Sequence, residues 1–112
     1  MFRESKFQAE LIDELENRFP GCVVLKNDAN YIQGFPDLTI LYFNAWAVLE
    51  CKRSLDELYR PNQEYYLDKC ADMCFASMIC PENKEAVLNE LEHAFSSRGK
   101  TRVPKRKQIP LD

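Results

Sequence analysis

Gly34-Phe35-Pro36-Asp37-Leu38-Thr39-Ile40-Leu41-Tyr42-Phe43-Asn44-Ala45-Trp46-Ala47-Val48-Leu49-Glu50-Cys51-Lys52 is two apolar runs joined at Asn44-Ala45. An acid opens the first run, and an acid and a lysine close the second. The pattern reads as strand, turn, strand, a β-hairpin. With Asn44 and Ala45 as a two-residue turn, Phe43 faces Trp46, Thr39 faces Glu50 and Asp37 faces Lys52. Side chains alternate along a strand, so Asp37, Glu50 and Lys52 share one face with Leu41, Phe43, Trp46 and Val48. Asp37 and Glu50 become diagonal neighbours, roughly 7–8 Å apart at the backbone and within reach of one cation. Charges at strand ends are commonly just solvated, and the hairpin alone does not separate that reading from a site.

The rest of the chain supplies the frame. Phe7, Leu11, Ile12 and Leu15 recur at helical spacing over residues 3–19, and Pro20-Gly21 stops that helix. On its wheel Glu4 and Gln8 fall inside the apolar stripe, whereas Glu10 and Glu14 fall outside. A carboxylate in such a stripe is costly unless paired or metal-bound, although a first-turn acid also meets the helix dipole favourably. Cys22–Lys26 is a short strand and 27–34 a turn-rich loop, where Lys26 and Tyr31 read by themselves as an exposed charge and loop packing and, alternatively, as contacts to a nucleic-acid backbone. Pro61 suits a first helical position. Gln63, Tyr66, Leu67, Cys70 and Cys74 then share a stripe, aiming Gln63 at the sheet near Lys52. Phe75–Cys80 is a last strand, and a final amphipathic helix begins near Asn83. The order α-β-β-β-α-β-α predicts an α/β fold with a mixed sheet of about four strands flanked by helices.

Composition bounds the rest. At 112 residues, 46% apolar and 29% charged, this is one globular domain over 1–97. Residues 98–112 read as a basic, flexible tail. No run reaches membrane-span length, and the N-terminus is too polar for a signal peptide. Five cysteines, an odd number at core-like positions, suit reduced thiols and a cytoplasmic setting. A single histidine leaves no zinc pattern. Residues 1–97 carry nine basic and seventeen acidic groups, whereas 98–107 carry Arg98, Lys100, Arg102, Lys105, Arg106 and Lys107 and no acid. An acidic body with a basic tail suits non-specific phosphate contact through Lys100, Arg102, Lys105, Arg106 and Lys107.

Pro36-Asp37, twelve intervening residues, then Glu50-Cys51-Lys52 resembles the signature of the PD-(D/E)XK nuclease superfamily. With Gly34, Pro61-Asn62-Gln63 and the helix pair Glu4-x-x-x-Gln8, it is similar to small phage and archaeal Holliday-junction resolvases and VRR-NUC endonuclease domains. The likeness spans about residues 4–95 and implies a restriction-endonuclease-like core. It also implies Mg²⁺, or Mn²⁺ in its place, on Asp37, Glu50, the Cys51 backbone carbonyl and Glu4, the last directly or through water. Glu10 is the runner-up for the helix acid. The implied catalytic set is Glu4, Asp37, Glu50, Lys52 and Gln63. The implied activity is structure-specific cleavage of branched DNA by a homodimer, in recombination or genome processing, in the host cytoplasm if phage-encoded. Phe2, Tyr59, Tyr65 and Tyr66 are the candidate interface aromatics. A nickase or exonuclease on other DNA is the alternative, and a catalytically silent nucleic-acid-binding subunit the second.

Overall fold

Phe7, Leu11, Leu15 and Phe19 form one buried stripe, and Pro20 with Gly21 at φ +89° turns the chain out of the helix beneath it. That helix, α1, runs Glu4–Arg18 in a computed structural model that describes residues 4–97. The elements that follow are β1 Val23–Lys26, β2 Leu38–Tyr42, β3 Ala45–Cys51, α2 Gln63–Ala71, β4 Phe75–Ile79 and α3 Lys84–Ser97. The architecture is α/β in the order α-β-β-β-α-β-α, with a four-stranded mixed sheet ordered β1-β2-β3-β4. β1, β2 and β3 pair antiparallel, and β4 joins β3 in parallel through the α2 crossover. The basic tail, Phe2 and the side chain of Glu4 lie outside the described residues.

Alternation gives the sheet two unlike faces. Leu38, Ile40, Ala47, Leu49, Cys51 and Ile79 point one way and join the α1 stripe and Val87, Leu88 and Leu91 of α3 in a single core. Phe19, Tyr42 and Phe95 close one end of it, with ring centroids 5.1–5.5 Å apart; Phe19 meets both others edge to face, and Tyr42 and Phe95 are tilted. α1 and α3 are tied at the rim by Lys84 to Glu14 at 2.9 Å and Arg18 to Glu92 at 3.5 Å. The opposite face carries Leu41, Trp46, Val48 and Glu50 and is covered only in part, by α2 through Leu67 and Cys70.

The hairpin register differs from the sequence expectation. Tyr42 pairs with Ala45 and Leu41 with Trp46, so the turn is Phe43-Asn44. Phe43 takes φ 53°, a left-handed conformation that few bulky residues adopt, and its ring packs on Tyr42 at 4.6 Å. Thr39 therefore faces Val48, not Glu50, and Leu38 faces Leu49. A slip of two residues leaves each strand side chain on the face assigned to it, so alternation cannot choose between the two registers. A second correction concerns Pro61. α2 starts at Gln63 behind an Asn62 cap at φ 70°, so Pro61 precedes the helix rather than opening it.

Candidate active site

Asp37 sits one residue before β2, and Asn27 fixes it there. The Asn27 N–H donates to the Asp37 carbonyl at 2.8 Å. Its side-chain amide donates to the Pro36 carbonyl and to Thr39 Oγ1, both at 2.8 Å. Asp37 Oδ2 accepts the Cys51 N–H at 2.9 Å, which ties the acid to the end of β3. Carrying the register one step past Leu38 and Leu49 sets Asp37 opposite Glu50. The two acids are thus a direct cross-strand pair, closer than the diagonal arrangement expected from the sequence.

Glu50 is 1% exposed, and neither of its oxygens has a hydrogen-bond partner. Burial, then the hydrogen bond that only a protonated Glu50 can donate to Asp37, and then the like charge of that carboxylate push its pKa up to about 9 against the opposing pull of Lys52. Two acceptors face each other with no donor between them. Such a pair is satisfied either by a proton held on Glu50 or by a cation between the carboxylates. Oxygen-only donors of this kind suit a hard divalent ion. Among the described residues, no three His, Cys, Asp or Glu side chains gather to hold a metal. Further oxygens would have to come from carbonyls, water or Glu4.

Lys52 is also 1% exposed, and the segment that follows β3 wraps it. Its Nζ donates to Gln63 Oε1 at 2.5 Å and to the Leu58 carbonyl at 3.3 Å. It pairs with Glu57 Oε2 at 3.6 Å and lies 5.3 Å from the centre of the Tyr59 ring. Gln63 Oε1 accepts the Arg60 N–H at 2.7 Å as well, so one amide oxygen closes the turn before α2 and holds the lysine. The sequence places Gln63 near Lys52, and there it stands.

A cleft of about 480 Å³ opens over the group, lined by Asn30, Gly34, Asp37, Lys52, Arg60 and Gln63 among others. Gly34 holds its two walls together. It has φ +87°, and a Cβ there would come within 2.6 Å of Asn62 Cβ and 2.8 Å of the Pro61 carbonyl oxygen. Only glycine lets the Asp37 loop lie this close to the α2 entry. Phe35 on Tyr66, with centroids 5.7 Å apart, supports the same contact.

Other candidates fall elsewhere. Glu10, the alternative helix acid, is two-thirds exposed and pairs with Lys6 at 3.9 Å on the outer side of α1. Gln8 is half-buried. Lys26 is exposed at the end of β1, and Tyr31 is 84% exposed on the loop. Tyr65 is exposed, whereas Tyr59 serves the lysine pocket and Tyr66 packs against Phe35. Lys100, Arg102, Lys105, Arg106 and Lys107 lie outside the described residues. Sequence reasoning missed Asn27 and Glu57. Asn27 gave no signal beyond a polar loop. Glu57 stands four residues after Arg53, a spacing that brings its Oε1 within 2.8 Å of the Arg53 N–H and 3.0 Å of Nε. No family model, curated protein or solved structure matches this chain.

Proposed function

We propose that the chain is a Mg²⁺-dependent endodeoxyribonuclease of the PD-(D/E)XK kind that hydrolyses phosphodiester bonds in branched DNA, as a homodimer in the cytoplasm. One observation carries the reading: the buried, donor-less Glu50 carboxylate set against Asp37, with Lys52 two residues further on. A divalent ion, Mg²⁺ or Mn²⁺, would supply Lewis acidity and a nucleophilic water at neutral pH. Asp37 and Glu50 would hold it, with the Cys51 carbonyl and Glu4 as further oxygen donors. Asp37 is kept in place by Asn27 and the Cys51 N–H, so its carboxylate needs little reorganisation to bind. Lys52 offsets charge gathering on the phosphate, and Gln63 aims it. Among the described residues, no helix is long and apolar enough to cross a membrane.

The test is cleavage of labelled four-way junctions, duplex and single strands with and without Mg²⁺. Junction cutting that Asp37→Ala and Lys52→Ala each abolish is the expected result, with both variants still folded by circular dichroism. Cutting of other DNA alone would move the reading to a nickase or exonuclease. Metal-independent binding without cutting would leave a silent nucleic-acid-binding subunit.

A further inference from the structure

The ammonium of Lys52 has three protons to donate, and the structure offers them three acceptors: Gln63 Oε1, the Leu58 carbonyl and Glu57 Oε2. A phosphate oxygen can reach this lysine only by replacing one of them. Gln63 Oε1 is held a second time by the Arg60 N–H, and the Leu58 carbonyl belongs to the backbone. Glu57 is different. Its contact is the longest of the three, at 3.6 Å, and its charge is the one an incoming phosphate duplicates. It also has a second holder, because Oε1 accepts both the Arg53 N–H at 2.8 Å and Arg53 Nε at 3.0 Å. Burial works against the charged form of Glu57, yet these bonds and the two cations outweigh it and hold the pKa below the usual carboxylate value. The carboxylate is therefore an anion in a cleft wall, bridging a buried cation and an exposed one.

We propose that Glu57 is a displaceable counter-ion for Lys52: it occupies the lysine before DNA binds, and the substrate phosphate then displaces it onto Arg53. The proposal rests on the reading of this cleft as a phosphodiester site. No bond is made or broken. One ion pair is exchanged for another, and Lys52 is never left buried with an unbalanced charge, which would be the costly state. Glu57 thus sets the affinity of the site for phosphate without touching the reacting atoms, and is a positioning residue.

The experiment measures binding of a fluorescein-labelled four-way junction by anisotropy with Ca²⁺ in place of Mg²⁺, the DNA being checked afterwards to be uncut. The proteins are the native chain, Glu57→Gln and Asp56→Asn. Asp56 is the exposed neighbouring acid, so its variant changes net charge by the same amount at nearly the same place. Glu57→Gln should bind about three- to tenfold tighter than native, and Asp56→Asn much less so. A residue needed only for structure would give the opposite sign. Equal tightening in both variants, or weaker binding by a folded Glu57→Gln, overturns the proposal and leaves the nuclease reading intact. Native protein that neither binds nor cuts any DNA overturns both. Should Glu57→Gln fail to fold, the native chain still decides. Junction binding should shift the Arg53 amide resonance, because that N–H is bonded to Glu57, and an unmoved resonance in the bound state refutes the exchange.

Discussion

The two faces of the sheet come from the same strands and are used in opposite ways. One is closed: Leu38, Ile40, Ala47 and Leu49 are fully buried beneath α1 and α3. The other is covered only where α2 crosses it. There Val48 is buried, the ionisable Glu50 and Lys52 are buried, and the β1–β2 half is left open with Val23 50%, Leu25 46% and Leu41 41% exposed. The closed face holds the fold together by apolar burial. The half-covered face spends part of that stability to keep the Glu50 carboxyl and the Lys52 ammonium out of water. The molecule thus separates what makes it stable from what makes it reactive by no more than the thickness of one sheet.

That contrast can be broken by substitution, and the largest effect is expected on the closed side. Leu49→Ala should cost about 2–5 kcal/mol in urea unfolding, because the cavity has no solvent to fill it. Leu25→Ser, on the open side, should stay within about 0.5 kcal/mol. Equal losses would mean that the open face is covered in solution. Gly34→Ala comes next. It must move the Pro61–Asn62 backbone as well as adopt a positive φ, and should cost about 1–3 kcal/mol. The damage should be local, seen as faster amide exchange through 57–63, where Lys52 is held, than in the α1–α3 core.

The sharpest effect is in pH. Glu50 is raised from its ordinary value to about 9, so between pH 4.5 and about 9 the folded protein keeps a proton that the unfolded chain releases. Stability from this group therefore falls as pH rises through that window. Glu50→Gln should flatten the fall and melt higher than native at pH 8 without metal. Mg²⁺ should raise the native Tm more at pH 8 than at pH 5 and leave Glu50→Gln nearly unmoved. A native Tm with no more pH dependence than the variant would show that Glu50 is not desolvated as described.

How much was legible in the sequence varies by residue. The element order and the placing of Asp37 and Glu50 on one face were readable, because strand alternation has a period of two and the apolar runs were unbroken. Gln63 was readable from its place at the head of a helical stripe. Asn27 and Glu57 were not. Asn27 reaches across a loop to Pro36, Asp37 and Thr39, and Glu57 folds back from an irregular segment onto Arg53 and Lys52; nothing periodic marks either contact. Glu10 lies on the outer side of α1 beside Lys6, as its place outside the apolar stripe on the helical wheel implied.

Local physics written into the chain determined which side chains share a face, where the helices stop, and that the charged cluster would gather at the open end of the hairpin. The register itself, with its turn at Phe43-Asn44, was decided by the folded whole. A shift of two residues costs alternation nothing, so the choice fell to contacts that alternation does not encode: the Cys51 N–H on Asp37, the Asn27 clamp, and the parallel pairing of β3 with β4. The burial of Lys52 was decided in the same way, since only the wrapped 57–63 segment supplies its partners.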